Sequence, residues 1–498
     1  MDHSDWQGCR RKPVRVWERM LWGVLVCFAS LSFRTAQAAD ETLDPASEFV
    51  VPPVPAVLDV SGQSSVVDLT NRVAELEKAL QSRRDLGTKT PVASAGEKLP
   101  ATNAIDVNDK KWTVKFGGHV QLDYINWANA DPAITGPNAS PGTKDYFEFR
   151  RLRLTADGKG YGVFDFRLQM TLEPATVGDT PPAGTNYTPD VKDAYLSMNE
   201  IPWLGRFRIG NFFVPFGLEQ VTNDTNNMFL ERSIPTQGVF TPNREVGVAF
   251  YNCNESQDLT WTCGAFFDSI SESSKKQIDD NQGYRLSGRV TWLPYYDEAS
   301  NGRHLIHLGV GVLYTDDQDN RVRFQARPQI HEGPRLIDSG NLNASSYTTG
   351  NFEAAIVCGS VTVQSEAYLT TVKLSSGSPA TIGGAYAHAS YFLTGENRIF
   401  ERFGQHGAQF GRNVPRENFF LTNEGCGWGA WEAKARWSYL DLNDVNAGRY
   451  NDFTVGMNWY WTDRTRVMFD WIHPVTNSQT TFGATKSDLL AMRFDFNW

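Results

Sequence analysis

Long apolar runs are almost missing from this chain of 498 residues. Apart from Leu21 to Phe33 near the start, no stretch approaches the roughly 18 to 20 residues of a membrane helix, which excludes a helical bundle in the bilayer. There is no GxSxG, HExxH or P-loop, and the eight histidines are scattered, most at strand positions. No catalytic residue, metal ligand or cofactor is therefore assigned, and an enzyme is not expected. An excess of positive charge is missing too. The net charge of −10 becomes more negative once the basic N-terminus is removed, which argues against nucleic acid as a partner.

What is present begins with an export signal. CRRKPVRVWERM is basic, LWGVLVCFASLSF is apolar but too short to span, and AQA at 36–38 offers small residues for cleavage, so residues 1–38 read as a signal peptide. A Pro/Val-rich linker fills 39–64. In 65–84, Leu69, Val73, Leu76 and Leu80 recur at alternating spacings of a short coiled coil, although a surface helix docked on a domain would use the same residues. Residues 85–111 read as a flexible spacer.

From Trp112 onward the chain alternates. In WTVKFGGHVQLDYINW the positions Val114, Phe116, Val120, Leu122 and Tyr124 are apolar, with Lys115, His119, Gln121 and Asp123 between them; GYGVFDFRLQMTLE repeats the pattern. Strands of about ten residues with one apolar and one polar face suit a membrane barrel better than a soluble sandwich. Sixteen such segments occur between 112 and 498, the expectation being an all-β, sixteen-stranded antiparallel transmembrane barrel. Short links such as DGKG at 157–160 alternate with longer ones such as 174–189 and 213–243, the outer-membrane arrangement. Residues 394–428 break the rule: parity demands a short periplasmic turn, and the segment is long and Gly-rich.

EFRRLRLTAD, from Glu148 to Asp157, carries three arginines that no strict alternation places on one face. One bulged residue resolves this. Phe149, Leu152 and Leu154 then face lipid while Arg150, Arg151 and Arg153 all face the lumen. Arginine on the lipid face costs roughly 2–4 kcal/mol at the midplane, so this register is favoured. Inside, the arginines either line a passage or brace the wall against carboxylates such as Asp165.

EFRRLRLTADGKGYGVFDFRLQ, VKDAYLSM, RIGNFFVPFGLEQ, FLERS, NREVGV, YRLSGRVTWLP, SYFLTGEN, WSYLDLND and GMNWYW together resemble the phosphate-selective porin O and P family, outer-membrane anion porins, from about residue 112 to the C-terminus. The resemblance implies a homotrimer in the outer membrane and passive diffusion of small, phosphate-like anions. It also implies a third long loop folded inward as the constriction, adding Arg232 and Arg244 to Arg150, Arg151 and Arg153. Arg321, Arg323, Arg327 and Arg335 in NRVRFQARPQIHEGPR resemble the family's arginine ladder, the alternative being an exposed basic hairpin tip. MRFDFNW, ending on Trp498, resembles the signal read by the barrel assembly machinery, and the 65–84 helix would then lie in the periplasm. One departure stands out. Loop three has no lysine and carries Glu219, Asp224 and Glu231, which would oppose anions if they faced the pore. A general, non-selective porin and a structural barrel tethering the envelope are the alternatives; a lipase-type barrel would need more than a generic pair such as His388 and Ser390.

Six cysteines occur, four of them after the signal. In an oxidising periplasm the expected pairs are Cys253 with Cys263 across one hairpin and Cys358 with Cys426.

Overall fold

The computed structural model describes residues 104–107, 111–135, 143–173, 190–267, 283–317, 322–419 and 427–498. The expected signal peptide, linker and coiled coil lie outside the described residues, as do Arg321 and Cys426. Sixteen long strands form the barrel: β1 (Trp112–Asn129), β2 (Tyr146–Gly160), β3 (Phe164–Thr171), β4 (Asp190–Ile201), β5 (Gly205–Phe213), β6 (Arg244–Cys253), β7 (Leu259–Phe267), β8 (Tyr284–Tyr296), β9 (His304–Asp316), β10 (Ala344–Cys358), β11 (Val361–Leu374), β12 (Ala380–Phe392), β13 (Ala430–Asp441), β14 (Arg449–Tyr460), β15 (Thr465–Thr476) and β16 (Asp488–Asn497). Each pairs antiparallel with its neighbours in sequence, and β16 returns to β1, as in Val120 opposite Phe496. Closure removes both free edges, the condition for a sheet to cross a bilayer.

The seam ends on the terminal aromatic. The Trp498 N–H donates to the Gly118 carbonyl at 3.2 Å, and the Gly118 N–H donates back at 3.3 Å. A Cβ on Gly118 would lie 2.0 Å from the Trp498 ring, so only glycine lets the indole lie across the first strand. Outward positions are apolar and exposed, among them Phe149, Leu154, Val310, Leu369 and Phe453. Inward positions are polar and mostly buried, so side chains and loops occupy much of the lumen.

Three local expectations are corrected. Strand β2 continues through Gly160 instead of stopping before DGKG; the turn falls at Tyr161 and Gly162, both with positive φ (51° and 78°), the mirror-image geometry that suits a tight hairpin. Ala104–Val107, assigned to the spacer, is a strand paired with Trp112–Lys115. The pairing of Cys253 with Cys263 fails on register and on facing. Cys253 sits opposite Thr260 and Cys263 opposite Phe250; Cys263 is on the outward face of β7, whereas Cys253 follows the inward Ala249 and Tyr251. Both are free thiols, as is Cys358.

Three connections fold into the barrel. Loop three, residues 214–243 between β5 and β6, is buried along almost its whole length. Residues 322–342 form a small hairpin, with Gln325–Ala326 paired to Ile337–Asp338. Together these two supply Phe216, Phe240 and Phe324 to an apolar cluster inside the lumen, which Tyr368 of β11 joins, the rings of Phe240 and Tyr368 stacking at 5.8 Å. The third is the anomalous segment after β12. Its hairpin, Phe400–Gly404 with Gly407–Phe410, rises into the short-turn mouth.

Candidate functional site: the constricted lumen

The bulge in β2 occurs where the composition demands it. Gln121 of β1 pairs with Arg151 and Leu122 with Phe149, leaving Arg150 as the extra residue. Phe149 and Leu154 are exposed outward, Arg151 and Arg153 are buried inward, and Arg150 is half-buried, its side chain 14% exposed.

All three meet loop three. Arg150 donates to both oxygens of Glu231 (2.7 and 3.0 Å); Arg153 donates to Asp224 (2.7 Å); Arg151 donates to Gln121 and lies 2.9 Å from the same Asp224. Arg493 of β16 joins them with a bidentate bond to Asp123 and a further contact to Glu231 at 2.8 Å. Four guanidiniums thus share three carboxylates, and positive charge is in excess. Loop-three acids that would repel anions in the passage are instead spent on the wall, Glu219 included: it accepts from the Ser233 N–H and hydroxyl and from Arg436.

The other two constriction candidates have different work. Arg232 is buried and donates to the carbonyls of Glu219, Gln220 and Thr222, closing the C-terminal end of the short helix α1 (Leu218–Val221). At the other end of α1, Glu366 of β11 accepts the N–H groups of Leu218 and Glu219, both at 2.8 Å. Arg244 makes a bidentate pair with Asp193 and stacks on Phe213 at 3.9 Å.

A second group of cations fixes the loop's backbone. Arg466 donates to the carbonyl of Asn227 (2.7 Å), Lys434 to Met228 (2.8 Å), Arg493 to Leu230 and Arg436 to Glu231 (2.9 Å). Four side chains from β13, β15 and β16 hold a five-residue stretch of main chain against one side of the lumen. On that side the inward residues are sealed: Glu353, Glu366, Thr349, Ser438 and Asn458 have no exposed surface. Along β2 and β3 the inward residues Thr155, Asp157, Asp165, Arg167 and Gln169 remain half-exposed, as does Arg206 at the start of β5, whereas Asp193, Ser197, Arg208 and Asn211 on β4 and β5 are buried. Inward residues that keep solvent-accessible surface are therefore present along that wall, between Arg150 and Arg167.

A family model described as phosphate-selective porin O and P matches residues 114–498. The chain belongs to that family. A curated relative from Caulobacter vibrioides, described as an uncharacterized protein, is 28% identical over 366 residues, covering 71% of this chain and 66% of the relative. Among solved structures, the outer membrane channel DcaP of Acinetobacter baumannii (10% identity, 78% of this chain and 99% of that one, TM-score 0.47) and an anion-selective porin from Comamonas acidovorans (14%, 77% and 100%, TM-score 0.44) are similar. So is OmpT of Vibrio cholerae in its trimer form (11%, 78% and 99%, TM-score 0.47). As a member of the porin O and P family, the protein is an outer-membrane barrel, its short turns periplasmic and its long loops outside.

In this porin the ladder segment lies in the extracellular vestibule. Arg323 is exposed and bonded to Asp338, a hydrogen bond that raises the guanidinium's proton affinity. Arg327 donates to the His331 carbonyl (2.6 Å), and His331 in turn contacts Glu148 (2.8 Å), two residues before Arg150 on β2. Arg335 is half-buried. Burial, followed by the positive charges of Arg327 and Arg323, lowers its affinity for a proton. Three of the four ladder residues are therefore near one another, above the open wall. The hairpin tip also reaches across the lumen, where Gln329 donates to Ser438 at 2.9 Å.

Below loop three, the periplasmic segment is tied to both walls, the one with half-exposed residues included. Arg206 donates to the carbonyls of Gly404 and Gln405, Arg167 donates to the Gln405 side chain (2.9 Å), and Asn413 donates to Tyr460 (3.1 Å) on the far wall. Sequence reasoning singled out the length of this segment but not its place in the lumen, and it missed the row Lys434, Arg436, Arg466 and Arg493. The row carried a usable signal, since all four sit at inward parity on their strands. The segment carried none, because its partners are scattered over the barrel.

Proposed function

We propose that this porin passes small anions, phosphate-like ones among them, by diffusion along the β2–β5 wall. Extracellular Arg323, Arg327 and Arg335 gather them, and Arg150, Arg151, Arg153 and Arg244 supply the positive field at the narrowing. Arg232 shapes the narrowing by holding loop three in form. The observation that carries the reading is the bulge at Arg150, which puts three guanidiniums on the inner face where two would otherwise stand. Fixed charges in a narrow, low-dielectric passage outweigh the net charge of the whole chain. Assembly as a homotrimer, recognition of the C-terminal Trp498 by the barrel assembly machinery, and a periplasmic coiled coil at 65–84 belong to the same reading.

The test is the zero-current potential of purified protein in a planar bilayer under a KCl gradient. Anion preference is expected, weakening as salt rises, and Arg150→Glu should reduce or reverse it. Cation preference in the parent would overturn the reading. A second reading, a general porin, is favoured by one feature: Arg150, Arg151, Arg153 and Arg244 each face a carboxylate, so their charge is largely local. An unchanged potential in Arg150→Glu would select it.

A further inference from the structure

Behind loop three, away from the open wall, lies a group of buried donors with nothing to donate to. Arg398, in the periplasmic segment, is 2% exposed. Its Nη2 donates to the Asn226 carbonyl at 2.9 Å and its guanidinium stacks on Phe410 at 5.1 Å, but Nε and Nη1 have no acceptor. Among the described residues it makes no ion pair. His388 on β12 is 5% exposed, with both ring nitrogens unpartnered, and the Ser390 hydroxyl, two residues along the same inward face, is unpartnered as well. The register sets His388 opposite Arg436 and Ser390 opposite Lys434. Phe229 of loop three packs among them, 5.6 Å from the His388 ring, 4.9 Å from the Lys434 ammonium and 4.1 Å from the Arg436 guanidinium. Arg398 comes to the same region through loop three, since it holds the Asn226 carbonyl while Lys434 holds that of Met228, so Arg436, Lys434 and Arg398 are all cations of this group. Of these, Lys434 is neutralised by Asp470 at 2.7 Å and Arg436 by Glu219. Of the three cations, Arg398 is the one without a paired carboxylate among the described residues.

A guanidinium taken out of water without a counter-charge costs several kcal/mol, and each buried donor left unsatisfied adds about 1–3. Native interiors avoid this by admitting a partner. Two could serve: an anion, or Glu432, whose Oε2 accepts from Asn458 and Tyr460 while its Oε1 is unpartnered. The second would satisfy Arg398 but leave His388 and Ser390 as they are.

We propose that a small inorganic anion resides between Arg398, His388 and Ser390, and that it pins the periplasmic segment beneath loop three. The site is separate from the passage along β2–β5 and does not depend on which ions that passage prefers. Occupancy would couple the anion content of the periplasm to the position of the segment, since Arg398 is carried by the segment and its partners by the wall. Chloride and phosphate share the required chemistry.

Limited trypsin digestion of the full-length protein in detergent reads the segment directly, through cleavage after Arg412 and Arg416. At constant ionic strength in gluconate, adding chloride or, separately, phosphate should protect these sites with a saturable midpoint; the arm with the lower midpoint identifies the resident ion. Arg398→Gln should leave cleavage indifferent to either anion. His388→Phe, which keeps the charge and the packing against Phe229, should raise the midpoint about tenfold through loss of one charge-assisted bond. Cleavage in the parent that ignores both anions would overturn the proposal and assign Arg398 to Glu432. An unchanged midpoint in both variants would overturn it equally.

Discussion

The two walls of this barrel are built from the same alternating strands and do opposite things with their inner faces. From β10 to β16 the inward residues are sealed beneath loop three, the tip of the 322–342 hairpin and the periplasmic segment. From β2 to β5 several inward residues keep contact with solvent. The charges differ in the same sense. Arg493, with a side chain 2% exposed, is locked to Asp123 and Glu231, whereas Arg167, at 17%, shares Asp157, which is 46% exposed. A polar inner face is therefore no sign of a channel by itself. What decides is whether loops cover it.

Removing Arg493 should have the largest effect. Arg493→Ala leaves Asp123 and Glu231 facing each other without their shared cation and frees the Leu230 carbonyl, a loss of about 3–5 kcal/mol, to be read as a lower urea midpoint for the detergent-folded barrel. Next comes the seam. Gly118→Val forces the Trp498 ring off the first strand and should cost about 1–3 kcal/mol, seen as a lower temperature at which the folded band is lost in heat-modifiability gels. Smallest is Arg167→Ala on the open wall, expected to change unfolding by less than about 1 kcal/mol because its pair is partly solvated, while altering single-channel conductance. Equal losses from Arg493→Ala and Arg167→Ala would erase the distinction between the walls.

Much of this architecture was legible in the sequence because the period-two signal is local. The sixteen strands and the inward turn of Arg150, Arg151 and Arg153 follow from alternation plus the penalty for arginine in lipid. Who partners these arginines was not legible, because Glu231 and Asp224 lie 81 and 71 residues away and meet them only through the path of loop three. That path also turned the loop's acids from an objection into an anchor. The disulfide between Cys253 and Cys263 failed for a related reason: proximity along a hairpin says nothing of facing, and one residue of parity separates lumen from lipid. The periplasmic segment stayed opaque because its contacts with Arg167, Arg206 and Tyr460 come from strands far apart in sequence.

The central claim is that the passage follows one wall, and thiol accessibility tests it most directly. In a background with the four remaining cysteines replaced by serine, Gln169→Cys on β3 and Thr349→Cys on β10 occupy inward positions on the open and sealed walls. Treatment of open channels in a bilayer with a negatively charged methanethiosulfonate should cut the conductance of Gln169→Cys and leave that of Thr349→Cys unchanged. Block at Thr349→Cys with none at Gln169→Cys would contradict the account.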